Sequence, residues 1–327
     1  MARRKKGRPL HGILVVDKPR GISSSFVVNR LKRRLNAQKA GHTGALDPMA
    51  TGVLPVVLGE ASKYSQYGLD ADKAYEATIQ FGQATSTLDA DGEVIEEVLV
   101  QPFDAERIEI ALARHRGAIE QLPPLVSALK QDGRRWYDLA RQGVEIERTP
   151  RPVEIYELTL THYDAASHTL SCFVRCSKGT YIRSLAESIA KALGTLGHLS
   201  ALRRVDAGGL TLAHAHTLAD CEARLEFDEA GCDAWMLPID GLVAHFPKIE
   251  FDANDCMTLI HGQKLLGRGQ ELCHTMRAYL QGGGFIGLVS ADESGTIRAK
   301  RMLSPVAAGM RGDAGFGPLG SGMPDKE

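Results

Sequence analysis

The run from Ala40 to Pro55 limits what this chain can build more than any other stretch. It holds Gly41, Gly44, Gly52, Pro48 and Pro55, a composition that makes a poor helix and a poor strand, yet apolar segments flank it, as they flank a shaped loop. Asp47 is its only carboxylate. Pro48 pushes Asp47 toward an extended backbone, and the glycines let another molecule come close to the main chain. A fixed acid in a bare loop has the character of a site. Residue types alone leave other readings open: an Asp-Pro pair is a common turn, and His42 with Asp47 could begin a metal site, although no further ligands accompany them. A phosphate-cradling loop is excluded, because no lysine and hydroxyl follow its second glycine.

Around this loop the chain alternates strand and helix signals. Gly12 to Val16 is a short apolar strand feeding the turn Lys18-Pro19-Arg20-Gly21, and Ser23, Ser24 or Ser25 can cap a helix with Val28, Leu31 and Leu35 on one face. The pattern predicts a helix over Glu60 to Leu69 and a strand over Lys73 to Gly82 that turns Tyr75, Ala77, Ile79 and Phe81 inward. Asp89 and Asp91 with Gly92 read as a hairpin turn. Helices follow from Asp104, carrying Ile108, Ala111 and Leu112, and over Trp136 to Gln142. A strand pair spans Pro152 to Tyr163 and Thr169 to Ser177, and the next helix carries Ile182, Leu185, Ile189 and Leu193 and stops at Gly194. Arg183 falls in that helix's first turn, where the dipole disfavours a cation unless an anion holds it; Asp47 is the expected partner. Leu202-Arg203-Arg204 reads as a basic spot on a strand, and from Phe246 the texture changes to short strands between glycine turns.

A length of 327 residues suits a large domain plus a smaller one, and 43% hydrophobic with 24% charged residues describes a globular protein with a sizeable core. No apolar run approaches ~18 residues and the N-terminus lacks an apolar signal core, so the expected location is the cytoplasm. Six scattered cysteines without a CxxC suggest reduced thiols, with Cys172 and Cys176 on one strand face as small hydrophobes. A net charge of −1 hides an asymmetry: Arg3, Arg4, Lys5, Lys6 and Arg8, then Arg30, Lys32, Arg33, Arg34 and Lys39, load the front of the chain with positive charge. Such a front end suits a polyanion, or else is a solvated face.

The Asp47 run, with Val16-Asp17-Lys18-Pro19-Arg20-Gly21 upstream, Lys73-Ala74-Tyr75, Leu88-Asp89-Ala90-Asp91-Gly92, Ser127-Ala128-Leu129-Lys130, Cys176 to Arg183 and Leu202-Arg203-Arg204, resembles the bacterial tRNA pseudouridine-55 synthase family, TruB, in order and spacing. The resemblance departs at Val126, where the family commonly carries an aromatic residue. It implies an α+β fold: a mixed-sheet catalytic core over residues 10–245, a small β-barrel-like, PUA-related RNA-binding domain over 246–305, a basic tail over 1–9 and a disordered tail over 306–327. The implied activity is isomerisation of uridine to pseudouridine in the tRNA T loop by a monomer, with tRNA rather than DNA or a membrane as partner.

The reaction breaks N1–C1′, joins C5 to C1′ and moves a proton from C5, so no electrons or groups enter, and neither a cofactor nor a metal is expected. By the same resemblance Asp47 is the nucleophile, Arg183 its ion-pair partner, and Tyr75 the residue that stacks on the base and takes or relays the C5 proton. Tyr181 and Leu202 match substrate-contacting positions, His42 matches the residue that fills the place of the flipped base, and Lys18 with Pro19 supports the loop. A rival from another class is a non-catalytic RNA-binding or chaperone protein, which would not require Asp47, Tyr75 and Arg183 together.

Overall fold

A computed structural model describes residues 7–125, 130–131, 134–136, 148–266 and 274–309. The expected helix over Trp136 to Gln142 beyond Trp136 itself, Val126 to Leu129, Cys273, the first six residues and the tail from 310 lie outside the described residues. The chain first forms β1 (Gly12–Lys18), α1 (Ser24–Arg34), β2 (Ala40–His42), β3 (Thr51–Leu58), α2 (Ser65–Asp70) and β4 (Lys73–Phe81). A small hairpin, β5 (Gln83–Thr85) and β6 (Val94–Glu97), precedes α3 (Ala105–Ala113), β7 (Gly117–Gln121) and a two-stranded ribbon, β8 (Lys130–Gln131) with β9 (Arg134–Arg135). Then come β10 (Arg151–Asp164), β11 (Thr169–Cys176), α4 (Ile182–Ala192), β12 (Gly197–Ala207), β13 (Leu210–Thr211), β14 (His216–Thr217) and α5 (Leu218–Phe227). The C-terminal part is β15 (Lys248–Phe251), α6 (Ala253–Ile260), β16 (Met276–Leu280), β17 (Phe285–Ala291) and β18 (Ile297–Met302).

One ten-stranded mixed sheet carries the larger part in the order β14-β1-β3-β12-β4-β11-β10-β7, with β2 on β3 and β13 on β12. Strand composition follows the number of covered faces. β1 and β3 are unbroken apolar runs because both faces are buried: Leu14, Val16, Leu54 and Val56 pack under α1 and α5, while Ile13, Val15, Val53 and Val57 face the C-terminal part. β4 and β11 alternate because one face is covered, by α3 and α4, and that face holds Tyr75, Ala77, Ile79, Cys172 and Val174. Cys176 joins Cys172 on it, as the alternation predicts.

The second sheet, β15-β16-β17-β18, is separate in pairing but continuous in core with the first. Tyr64 is fully buried at this junction, 5.4 Å from the Phe285 ring, with its hydroxyl on the Arg301 carbonyl at 2.9 Å. Lys63 reaches the Met302 carbonyl (3.0 Å) and Glu60 accepts from the Ser304 amide (2.9 Å). The segment that supplies them departs from the expected helix over Glu60 to Leu69: it is a 3-10 turn over Gly59–Tyr64 followed by α2. Ser62 and Ser65 donate their hydroxyls to carbonyls three residues back, at 2.7 and 2.9 Å, which favours the tighter turn. Among the described residues no helix is long and apolar enough to cross a membrane.

Candidate active site

Asp47 sits between β2 and β3 on a loop whose flanks are pinned. The Lys18 ammonium, with no exposed surface, donates to the carbonyls of Pro19 (2.9 Å), Pro48 (3.2 Å) and Ala50 (2.7 Å). The Gly21 amide takes the Pro48 carbonyl at 2.8 Å, so the Lys18-Pro19-Arg20-Gly21 turn and the loop close on each other. Ser24, at the start of α1, donates to the Leu46 carbonyl (3.0 Å) and accepts from the Leu46 amide (2.8 Å). Leu46 and Met49 bury their side chains in the core, whereas the Asp47 side chain keeps 42% of its surface open.

α4 delivers the cation. Its first turn places Arg183 with Nε 3.0 Å from Asp47 Oδ2, and Nη1 3.0 Å from the Thr87 carbonyl and 3.5 Å from Asp89 Oδ2. Arg183 and Asp89 are both almost fully buried. Asp89 is therefore more than a turn former: it is the second carboxylate of the site, fixed by the Thr87 hydroxyl and the Asp91 amide at 3.1 Å. Leu88 before it has φ 63°, a left-handed backbone that a leucine rarely adopts, held by the Leu199 amide on its carbonyl at 3.0 Å. Burial pushes the Asp47 carboxyl up from its ordinary value, Arg183 and Lys18 pull it back, and Asp89 and Asp91 add to the rise.

Tyr75 lies on β4 with 9% exposure, opposite Arg204 of β12 in the ladder between the two strands. Burial raises its pKa, against the pull of Arg204. Lys73, two residues earlier, caps the C-terminus of α2 by donating to the carbonyls of Gly68 (3.2 Å), Leu69 (2.7 Å) and Ala71. His42 ends β2, half-buried, and its Nδ1 accepts from the Gly44 amide at 3.4 Å; burial and the nearby Arg204 lower its pKa, which favours the neutral ring. Leu202 packs in the same core cluster as Leu46, Met49 and Tyr75. Tyr181 precedes α4, and the buried Gln121 clamps its main chain, accepting from its amide (2.7 Å) and donating to its carbonyl (3.0 Å).

Sequence reasoning missed the burial of Asp89, Gln121 and Arg204. The basic spot at Leu202-Arg203-Arg204 is corrected by the structure: Arg203 is engaged bidentately by Asp17 at 3.1 and 2.7 Å, and Arg204 is 1% exposed. Strand alternation carried the signal for Arg204, since an inward Leu202 puts Arg204 on the same face. Among the described residues no group of three or more His, Cys, Asp or Glu is placed to hold a metal ion.

The chain is similar to known proteins over most of its length. Residues 32–182 match the N-terminal domain of the TruB family of pseudouridylate synthases, and residues 183–244 match the tRNA pseudouridylate synthase B C-terminal domain. The tRNA pseudouridine synthase B of Chromohalobacter salexigens is 44% identical across 93% of this chain and 98% of the relative. That of Chromobacterium violaceum is 45% identical across 92% and 97%. Among solved structures, a chain of a Cbf5-Nop10-Gar1 complex superposes with a TM-score of 0.66 at 26% identity, over 87% of this chain and 79% of that one. A chain of an H/ACA RNP bound to a substrate RNA containing 2′-deoxyuridine shares the fold, with a TM-score of 0.69 at 22% identity over 93% and 92%. With the Asp47 loop, the Arg183 cation and the Tyr75 strand in place, the chain belongs to the TruB family of pseudouridylate synthases.

Proposed function

We propose that this protein isomerises the uridine at position 55 in the T loop of tRNA to pseudouridine. The observation that carries the reading is the Asp47–Arg183 pair at 3.0 Å, built on a loop fixed by Lys18 and Ser24. Binding alone does not call for a part-open carboxylate held 3.0 Å from a buried arginine that a second carboxylate shares, whereas an ionised, aimed nucleophile does. The non-catalytic rival is accordingly disfavoured.

In this reading Asp47 supplies the nucleophilic carboxylate, or assists elimination at the sugar, and Arg183 keeps it ionised and aimed. The uridine leaves the T-loop stack at a cost of a few kcal/mol, and neutral His42 fills the vacated place. Leu202 and Tyr181 line the pocket of the detached base, Tyr75 stacks on it, and after C5 joins C1′ the C5 proton passes to the Tyr75 oxygen, directly or through water. Residues 10–245 form the catalytic unit and 246–305 the RNA-binding unit of a monomer working in the cytoplasm on the T arm. Lys32, Arg33, Arg34 and Lys39, which make no ion pair among the described residues, supply phosphate contacts.

The test follows tritium release from C5-labelled uridine in a tRNA transcript with EDTA present, and maps the product. Release with pseudouridine at position 55 supports the reading. Tight tRNA binding without release favours the non-catalytic rival.

A further inference from the structure

Arg204 has 1% of its surface exposed, and among the described residues no carboxylate lies within ion-pair distance of it. Its place on β12 explains what it reaches. β12 runs between β3 and β4, and Arg204 stands opposite Gly52 in one ladder and Tyr75 in the other. Gly52 has φ 99°, and a Cβ there would fall 2.1 Å from the Arg204 carbonyl oxygen, so the strands approach this closely only with glycine. The guanidinium donates from Nε to the Val53 carbonyl (2.7 Å) and from Nη2 to the Gly44 carbonyl (3.0 Å), and Tyr75 is its direct neighbour across the β4–β12 ladder. One side chain thus ties together both flanks of the Asp47 loop and stands beside the tyrosine.

Such a buried cation is unfavourable, and it stands within electrostatic reach of Lys18, His42 and Lys73, whose own protonation it opposes. Two backbone carbonyls do not require a charge; a neutral amide donor would satisfy them. The remaining neighbour, the phenol across the ladder, is the one for which a charge matters.

We propose that Arg204 is a positioning residue for Tyr75: its guanidinium donates to the phenolic oxygen, fixes it relative to the Asp47 loop, and favours the phenolate that accepts the C5 proton. This rests on the pseudouridine synthase reading above. In the step concerned, the C5–H bond breaks and the proton moves to the Tyr75 phenolate oxygen, the C5–H electron pair becomes the C5–C6 double bond, the C6–N1 double bond opens onto N1, and N1 takes a proton from water, to which the phenol later returns its own. The groups around Tyr75 are consistent with it: burial, Cys176 on β11 and Asp47 on the loop disfavour the phenolate, and Arg204 alone among its named neighbours favours it.

The experiment measures single-turnover tritium release as a function of pH, with tRNA affinity in parallel, for the wild type, Arg204→Gln and Arg204→Lys. Loss of an acid-base contribution predicts a roughly hundredfold slower release for Arg204→Gln near neutral pH. Its tRNA affinity stays within about threefold, and its deficit narrows as rising pH supplies the phenolate without help. Arg204→Lys, which keeps the charge, shows the smaller deficit. A deficit that is equal at every pH and equal for both variants, or one confined to tRNA affinity, overturns the proposal, because it marks a residue that only holds backbone. Should Arg204→Gln fail to fold, 3-fluorotyrosine in place of Tyr75 in Arg204→Lys decides the matter. The more acidic phenol restores part of the rate if Arg204 acts through it, and none if it does not. A wild-type protein that releases no tritium refutes the functional reading itself, and is seen before any variant is compared.

Discussion

Replacing Arg183 by lysine separates charge from shape at the centre of the site. The guanidinium serves several acceptors at once, among them Asp47 through Nε at 3.0 Å, and Thr87 O and Asp89 through Nη1 at 3.0 and 3.5 Å. A lysine has one nitrogen and cannot hold the fork, so at least one charge-assisted contact is lost. Burial decides which. The Asp89 side chain is 5% exposed and cannot turn to water, whereas Asp47 at 42% can, so the ammonium stays with Asp89 and Asp47 loses its partner. A hydrogen bond to a charged group contributes about 1.5–3 kcal/mol, which at about 1.4 kcal/mol per decade is a loss of roughly ten- to 150-fold in turnover. Because Arg183 pulls the Asp47 pKa down, weakening that pull moves the acid limb of the pH–rate profile to higher pH. The assay is single-turnover tritium release from C5-labelled tRNA across the acid and neutral range, with a thermal melt to verify that the retained charge keeps the fold. Turnover within about twofold of wild type and an unmoved acid limb would refute the reasoning.

Asp89→Asn acts in the opposite sense on the same limb: Asp89 raises the Asp47 pKa, so the limb moves to lower pH while the loosened Arg183 slows turnover, and a limb that moves upward contradicts this. Lys18 is wholly buried, and burial lowers its pKa from 10.5 to about 8. Between those values the unfolded chain binds the extra proton, so the Lys18 contribution to stability rises with pH across this window by about 3 kcal/mol, and Lys18→Met should remove that share of the rise in urea unfolding while Lys73 keeps its own. A wild-type curve parallel to that of Lys18→Met over this range excludes the effect. His42→Ala should slow the reaction roughly ten- to a hundredfold on a folded T arm and far less on an opened loop, with His42→Phe recovering part of the loss. If His42→Phe is inert on both substrates, the ring acts as an acid or base instead.

What the sequence revealed divides along physical lines. Local patterns were legible: the Gly and Pro run of the Asp47 loop, the alternation of β4 and β11, and the Ser23 cap of α1, whose hydroxyl accepts the Phe26 amide at 3.1 Å. Arg183 was legible through a violated rule, a cation in the first turn of a helix, and the anion it implied is there. Asp89 was hidden, because an acid in a turn looks the same whether it caps the turn or reaches another element across the sheet. Its burial depends on the bridge from Leu199 to the Leu88–Ala90 segment, a contact between parts of the chain far apart in sequence. The 3-10 turn at Gly59–Tyr64 was hidden for a similar reason, since it depends on serine back-bonds and on the C-terminal strand that Tyr64 and Lys63 hold.

The most direct measurement compares wild type with Asp47→Asn on C5-tritiated tRNA, reading release, the position of the product and tRNA affinity in one preparation. Asn keeps the size of the side chain and removes the charge that faces Arg183. The account predicts pseudouridine at position 55 for the wild type and none for Asp47→Asn, with affinity changed by less than about tenfold, or ~1.4 kcal/mol. Full turnover by a clean Asp47→Asn preparation would contradict it.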